Sequence, residues 1–292
     1  MSVEAGLAPS LPRQDLKRRL VTAIVLGPVF LLAVAVGGLV FLGAMMLLAG
    51  VAAWEFFRMA GRKSGRPRAA PGIGLALAFP ALLYWSPSHP LAIPALVTVG
   101  VLGIALAQLL DPDGEEMLAA VSTTVYGSAY AGLLLAHFVL IREVSRVVPG
   151  MPYWSGALLV GVTVALTWVN DSSAYVIGRR WGRRKLIARV SPGKTVEGAV
   201  GALLVTVLAA VPTLWLVDRW VPLFDLRDAL AVGTLVGVAA PLGDLVESAF
   251  KRDAGVKDAS DLVPGHGGVL DRFDSLMAVA PAFWYYLWAV VL

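Results

Sequence analysis

Apolar runs long enough to cross a bilayer recur along most of this chain, and they limit its fold more than any other feature. The mean hydropathy is +0.76 and only 15% of the 292 residues are charged, a composition that a water-soluble surface does not have. About 20 apolar residues span the hydrocarbon core as a helix, which satisfies its own backbone polar groups. We therefore expect an all-α polytopic integral membrane protein with about nine transmembrane helices. The expected spans are 20–36, 38–57, 71–86, 91–110, 117–141, 153–177, 196–217, 228–247 and 274–292.

The positions of Lys and Arg predict the orientation of these spans. Basic flanks are retained on the cytoplasmic side of a membrane. With the N-terminus cytoplasmic and the C-terminus outside, 20 of the 24 Lys and Arg residues lie on that side. Gly37-Gly38 separates the first two spans, because one continuous helix there would exceed the bilayer thickness. We expect a multi-pass protein of the cell inner (cytoplasmic) membrane, with its polar segments and active site facing the cytoplasm.

Composition excludes several classes of protein. The chain has no cysteine, which rules out disulfides, iron–sulfur clusters and a thiol nucleophile. Nucleic acid is not an expected partner, because the spans leave no soluble domain to bind it, whereas the basic inner loops suit anionic membrane lipids. The basic start and the apolar run through Ala33-Val34-Ala35 also fit a cleavable signal peptide. We expect a retained anchor instead, because the later topology needs the first span.

Ionisable residues divide the chain into two regions. Residues 1–150 form about five spans with few such groups, among them Glu55 and His137, and we expect them to be a scaffold. Residues 151–292 form about four spans and carry Asp171, Asp244 and Glu247 within or at the ends of helices. Ionisable residues inside a membrane are costly and indicate function. The second region is therefore expected to be catalytic.

Two polar segments open this second region. Asn170-Asp171-Ser172-Ser173 lies at the inner part of the sixth span, where Asp171 is either a functional residue or part of a polar helix-packing cluster. Residues 191–198, SPGKTVEG, begin the seventh span, where Lys194 and the helix N-terminus form an anion site or only a capped helix end. A Walker loop is excluded, because Ala188 stands where GxxxxGK[ST] requires glycine and no strand is expected before it.

A third polar segment lies between the last two spans. Positions 244, 247, 248 and 251 share one helical stripe, so two carboxylates, a hydroxyl and an ammonium face the same way. Asp271 and Asp274 begin the last span at i and i+3. Carboxylates from two facing helix ends suit Mg²⁺, which takes one or two of them together with substrate phosphates. The alternative is an ion-paired loop on the cytoplasmic surface.

The end of this segment carries a long pattern of fixed residues. Residues 248–274 read SxFKRxxxxKDxSxxxPGHGGxxDRxD and resemble the signature of the phosphatidate cytidylyltransferase (CDP-diacylglycerol synthase) family. GDLVES at 243–248, SPGKTVEG at 191–198 and NDSSAY at 170–175 resemble that family's other polar segments in the same order. The resemblance implies a nucleotidyltransferase of phospholipid biosynthesis that transfers CMP from CTP to phosphatidate, giving CDP-diacylglycerol and pyrophosphate. Its expected partners are CTP, phosphatidate and membrane lipids.

The resemblance also implies roles for individual residues. Asp244 and Asp271 match the family's metal-binding acids, Glu247 and Asp274 are further candidates, and Mg²⁺ is the expected cofactor, with a second, monovalent cation left open. Six residues are expected to serve catalysis, either by binding the triphosphate or by orienting the groups that bind it. They are Lys251, Arg252, Lys257, Asp258, His266 and Arg272. His266 is expected to contact phosphate or shape its loop, since a phosphate nucleophile needs no base. The expected substrate-binding residues are Ser191, Lys194, Thr195, Glu197 and Asp171.

Two other functions compete with this prediction. A CTP-dependent polyprenol or phytol kinase would move the γ-phosphate instead of the nucleotidyl group, and the full signature from KRxxxxKD to DRxD argues against it. An ion-coupled transporter with Asp171, Asp244 and Glu247 as a relay is less favoured, because these charges gather at one face rather than at the bilayer midplane. The sequence leaves a homodimer open.

Overall fold

A computed structural model describes residues 27–62, 66–89, 91–111, 116–262 and 267–292. His266 lies outside these residues, as do the basic residues that precede the first span. The described residues form a helical bundle with one short hairpin. Its helices are α1 (Gly27–Val36), α2 (Gly38–Ala60), α3 (Ala69–Trp85), α4 (Ala92–Leu109), α5 (Met117–Arg142), α6 (Ser155–Trp181), α7 (Val196–Asp218), α8 (Leu226–Asp253) and α9 (Leu270–Val291).

Every expected apolar run corresponds to a helix in this part of the chain. Seven helices, α2 and α4 to α9, are long and apolar enough to cross a membrane, while α1 and α3 are shorter. The expected start of the first span at residue 20 lies outside the described residues. α6 and α8 continue past their apolar runs to Trp181 and Asp253. These polar extensions carry side chains of the membrane helices beyond the apolar layer.

One correction concerns the expectation of an all-α fold. Lys185–Ile187 (β1) pairs antiparallel with Ser191–Thr195 (β2), so a strand does precede α7 where none was expected. Gly182 ends α6 with an extended ψ of 125°, and Pro192 cannot continue a helix. Outside the apolar layer the two segments satisfy their backbone groups by pairing with each other. The hairpin leads directly into α7, because Val196 N donates to Arg184 O at 2.9 Å.

Close helix contacts in the bundle depend on glycine. A Cβ atom at Gly132 would stand 2.4 Å from the backbone oxygen of Ala76, and one at Gly233 would stand 2.6 Å from Val207 Cα. Small residues of this kind let membrane helices approach until their backbones touch. They bring α5 against α3 and α8 against α7.

A group of polar residues closes one end of the bundle. Arg142 is fully buried at the end of α5, and its guanidinium donates to Val34 O at 2.5 Å and Ala35 O at 3.1 Å. Glu143 accepts from Gly38 N and from the Tyr153 hydroxyl, each at 2.9 Å. Burial, followed by the hydrogen bond to Glu143, raises the pKa of Tyr153, which keeps the hydroxyl protonated as a donor. We call Arg142, Glu143, Tyr153 and the turn 34–38 the arginine corner.

The arginine corner also explains the break between the first two helices. Gly37 and Gly38 have φ values of 70° and 54°, a backbone region that other residues rarely adopt. A Cβ atom at Gly37 would collide with the Arg142 guanidinium. The expected separation at Gly37-Gly38 is therefore confirmed, and the two glycines let Arg142 reach the carbonyls at the end of α1.

Candidate active site

Seven of the functional side chains predicted from the second half of the chain meet at the end of the bundle away from the arginine corner. Six of them come from α6, α8 and α9, and one comes from β2. α8 and α9 pack so closely that a Cβ atom at Gly243 would stand 2.4 Å from Asp274 O. On α8 the expected stripe places Glu247 one turn before Lys251, and on α9 the acids occupy the first turns. We call the five acids the carboxylate cluster: Asp171, Asp244, Glu247, Asp271 and Asp274.

Two lysines enter this cluster. Lys251 Nζ lies 2.5 Å from Glu247 Oε2 and 2.7 Å from Asp271 Oδ1, so it joins α8 to the first turn of α9. Lys194 Nζ lies 2.7 Å from Asp244 Oδ2. Lys194 comes from β2, and the hairpin missed by the sequence analysis is therefore the element that carries a predicted substrate-binding residue to the acids.

Asp271 is held more tightly than the other acids. Besides Lys251, it accepts hydrogen bonds at Oδ2 from the backbone N–H groups of Ala259 and Gly268, at 2.9 Å and 2.7 Å. Asp244 accepts from Ser248 Oγ at 3.1 Å. Both acids expected to bind a metal thus have protein partners, and no group of three acid or histidine ligands in the described ranges is arranged to hold an ion.

Asp171 and Asp274 complete the cluster from α6 and α9. Ser275 Oγ lies 3.5 Å from Asp171 Oδ1, and Asp274 Oδ1 accepts from Ser275 N at 2.7 Å. The carboxylates of Asp171, Asp244 and Asp274 lie within electrostatic range of one another, and like charges this close repel unless a cation separates them.

The donor set fits a hard divalent cation. Carboxylate oxygens are the ligands that Mg²⁺ prefers, and the cluster holds five of these groups against two lysine ammonium groups. Glu247 is fully buried, and its Oε1 atom has no hydrogen-bond partner. Such an oxygen is costly unless a cation or a donor from a ligand reaches it. The chemistry of these donors therefore suits a cation, although their arrangement in the described residues does not form a ligand group.

Comparison with known proteins covers both halves of the chain. The profile of the "Cytidylyltransferase family" matches residues 17–290. This chain belongs to that family. It is 34% identical over 292 residues to a phosphatidate cytidylyltransferase of Bacillus subtilis, covering 94% of this chain and 98% of the relative. It is 36% identical over 289 residues to a phosphatidate cytidylyltransferase of Pseudomonas aeruginosa, covering 94% of this chain and 97% of the relative. It is 34% identical over 273 residues to a phosphatidate cytidylyltransferase of Synechocystis, covering 86% of this chain and 89% of the relative. The resemblance found in the signature is confirmed.

Several residues with expected roles in this cytidylyltransferase lie outside the cluster. Arg252 donates to Val190 O at 3.4 Å and to Val256 O at 3.1 Å, and so connects the hairpin with the loop after α8. Glu197 accepts from the backbone N–H groups of Arg183 and Arg184 and pairs with the Arg184 guanidinium at 3.2 Å. It therefore orients a neighbouring basic group of the hairpin and not Lys194.

The remaining predicted residues lie in the hairpin, at the start of α7 or at the surface. Thr195 caps α7 by accepting from Gly198 N at 3.1 Å. Ser191 pairs with Ile187 in the hairpin. Arg272 is exposed. Lys257 and Asp258 line a separate pocket of about 270 Å³ together with Arg58 and Arg62 of α2 and its end.

Sequence reasoning missed Tyr130 of the cytidylyltransferase, which contributes to the cluster from the first half of the chain. Its hydroxyl is buried without a hydrogen-bond partner, within electrostatic range of Glu247, Asp274 and Asp244. Tyr130 lies in a π turn at 129–133, a distortion that is frequent at functional sites. Its ring lies 5.5 Å from that of Phe250 on α8. An apolar run gives no sign of a π turn, so no sequence signal identified this residue.

Proposed function

We propose that this protein transfers CMP from CTP to phosphatidate, forming CDP-diacylglycerol and pyrophosphate for phospholipid synthesis. The observation that carries the proposal is the convergence of the carboxylate cluster with Lys194 and Lys251 at one end of a membrane bundle. The relatives that match most of the chain are named phosphatidate cytidylyltransferase. A lipid phosphate and a nucleoside triphosphate are both polyanions, and such a site can hold them together.

The reaction needs positioning and charge stabilisation more than acid–base chemistry. An oxygen of the phosphatidate phosphate attacks the α-phosphorus of CTP, and the bond from that phosphorus to the bridging oxygen of the β-phosphate breaks as pyrophosphate leaves. The attacking phosphate is already ionised at neutral pH, so no general base is required. Lys194 and Lys251 stabilise the negative charge that builds on the transferred and departing groups. Their carboxylate partners hold both ammonium groups in place before substrate arrives.

Magnesium remains part of the proposal. Asp244 and Asp271 would hold it, with Glu247 and Asp274 as additional ligands from the same two helices, and a monovalent cation could share the site. When bound, the metal supplies positive charge next to the triphosphate. Lys257, Arg272 and His266 would contact the triphosphate from the loop side, and Asp258 would orient those basic groups.

The cellular arrangement is proposed from charge. We propose that the protein lies in the cell inner membrane as nine spans, with the N-terminus cytoplasmic, the C-terminus outside and the cluster facing cytoplasmic CTP. Support comes from the basic residues that flank this end of the bundle. A homodimer is compatible with this arrangement.

The test of the proposed activity uses purified protein with phosphatidate, Mg²⁺ and CTP labelled at the α-phosphorus. The expected result is label in the lipid fraction as CDP-diacylglycerol, with release of pyrophosphate. CTP labelled at the γ-phosphorus is the matched control, because γ-label in lipid would identify a kinase. Phosphatidate that stays intact while all α-label remains aqueous would refute the proposal.

The proposed orientation gives a separate prediction, because the chain has no native cysteine. An Ala254→Cys variant, placed after α8 near the cluster, is expected to react with an impermeant maleimide only from the cytoplasmic side. A Ser88→Cys variant, in the exposed turn after α3, is expected to react only from outside. Labelling of intact cells and of inside-out vesicles measures both, and the reverse pattern would place the cluster away from CTP.

A further inference from the structure

Glu55 of α2 is a fully buried acid in the region that the sequence identified only as scaffold. It is far from the signature in sequence but touches it in space. Its Oε1 accepts from Ser260 Oγ at 2.5 Å and from Val269 N at 3.0 Å, and its Oε2 accepts from Leu270 N at 2.8 Å. Both carboxylate oxygens are therefore used to hold the loop before α9 and the start of that helix.

These contacts make Glu55 a cap supplied by another helix. The first N–H groups of a helix lack intrahelical partners, and Val269, which precedes α9, provides no side-chain cap. The Glu55 carboxylate bonds two of these N–H groups and places a negative charge at the positive end of the α9 dipole. α9 thus begins where α2 fixes it.

The same turn also holds Asp271. Gly268 N donates to Asp271 Oδ2 at 2.7 Å, while a Cβ atom at Gly268 would stand 2.5 Å from Glu55 Oε1. Glycine is needed here because the backbone passes between two carboxylates. Glu55 contacts one side of the turn and Asp271 the other, and Asp271 in turn fixes Lys251.

We propose that Glu55 is a positioning residue for the cytidylyl transfer. It acts by setting the start of α9, and with it the places of Asp271 and Lys251, without touching substrate. The inference rests on the proposed function for its kinetic consequence. Misplacing a catalytic group by about 1 Å costs roughly a hundredfold in rate, so a small shift of α9 is expected to reduce kcat strongly.

The chain offers a matched control at the arginine corner. Glu143 is also a buried acid, and it also holds the start of a helix, because it accepts from Gly38 N at the beginning of α2. Glu55→Gln and Glu143→Gln make the same chemical change. Glu55 accepts through both oxygens, so its variant must place an amide NH₂ against a backbone N–H. Both bonds to Glu143 reach Oε1, so its variant can keep them and loses only the negative charge beside Arg142. Only the first change lies next to Asp271.

The experiment compares both variants with wild type for kcat, for the KM of each substrate, for melting temperature in detergent and for amide hydrogen exchange of residues 259–271. Glu55→Gln is expected to lower kcat at least about tenfold, with smaller changes in KM, and to accelerate exchange in this segment. Glu143→Gln is expected to lower the melting temperature, because it removes the negative charge beside Arg142, while keeping kcat within about twofold and leaving exchange of 259–271 unchanged.

The outcomes separate the inference from the proposed function. Wild type that makes no CDP-diacylglycerol refutes the function, whereas the exchange data still test the contact. Equal loss of kcat in both variants, or near-normal kcat in Glu55→Gln, refutes the positioning role. If Glu55→Gln does not fold, Ser260→Ala removes only the hydroxyl donor to Glu55 and is expected to lower kcat severalfold. Unchanged kcat in that variant would equally overturn the inference.

Discussion

The two ends of this bundle both bury charge, but they do so in opposite ways. At the arginine corner Arg142 donates to the backbone carbonyls of Val34, Ala35 and Tyr153, and Glu143 has two donors of its own. At the other end five carboxylates meet two lysines, and one buried carboxylate oxygen has no hydrogen-bond partner. The charged groups of the corner have partners, whereas the cluster holds more acids than bases.

The charged side chains of the two ends also differ in their exposure to solvent. The Arg142 side chain is 0% exposed, while the side chains of the Lys194–Asp244 pair are 24% and 33% exposed. A partly exposed ion pair can exchange its partner for a substrate phosphate at little cost, whereas a buried one cannot without leaving an uncompensated charge. The corner is therefore buried and internally paired, whereas the cluster is partly open to solvent, as its proposed role in binding requires.

The largest loss of kcat is expected when acids of the carboxylate cluster are replaced. Asp244→Asn and Asp271→Asn are each expected to reduce kcat by about a thousandfold, because the charge stabilisation from a metal is worth several kcal/mol in phosphoryl chemistry. Activity assays across Mg²⁺ concentrations, with size-exclusion profiles in detergent to confirm folding, measure this. A near-normal rate at limiting Mg²⁺ in either variant would show that the two acids do not hold the metal.

A smaller loss is expected at Lys194. Lys194→Ala removes an ammonium group from the more accessible part of the cluster and is expected to reduce kcat/KM by roughly a hundredfold. Lys194→Arg keeps the charge but changes its reach, so it is expected to retain measurable activity. Separate KM values for CTP and phosphatidate in mixed micelles show which phosphate the residue contacts. Wild-type kinetics in the alanine variant would reduce Lys194 to an exposed partner of Asp244.

The sequence predicted the helices and the polar stripe of α8 where local rules determine structure. Apolar runs became helices because lipid offers the backbone no other partners, and helical spacing placed Glu247 beside Lys251. Contacts between distant segments were not predictable. Glu55 meets Val269 across 214 positions, and no spacing rule connects them. The hairpin was missed because its strands are short and lack an alternating pattern, although this hairpin carries Lys194 to the site.

Substitution of Tyr130 tests whether the first half of the chain contributes to the reaction. Tyr130→Phe removes only the unpaired buried hydroxyl and is expected to lower kcat about tenfold if that hydroxyl donates to a bound phosphate. Tyr126 is the matched control, since its ring stacks on Tyr130 one turn away but its side chain is 46% exposed. Tyr126→Phe is expected to leave kcat unchanged. Equal kinetics in both variants would restrict the cluster to the second half.

The smallest kinetic effect is expected at the arginine corner, where the consequence is stability. Arg142→Gln removes a guanidinium that bonds the carbonyls at the end of α1 and stacks on the Tyr153 ring at 4.4 Å. It leaves Glu143 with its two donors but without the nearby charge. Loss of one member of a buried charged network costs about 3 kcal/mol or more, so a clear fall in melting temperature is expected in detergent.

The same variant is expected to keep kcat within about twofold when rates are expressed per folded molecule, because the corner lies roughly 25 Å from Glu55 along α2 at 1.5 Å per residue. Arg142→Lys should recover part of the lost stability, since it restores the charge but not the three-point contact. A large loss of kcat in folded Arg142→Gln would show that the two ends are coupled through α2, and the division between a structural end and a binding end would then be wrong.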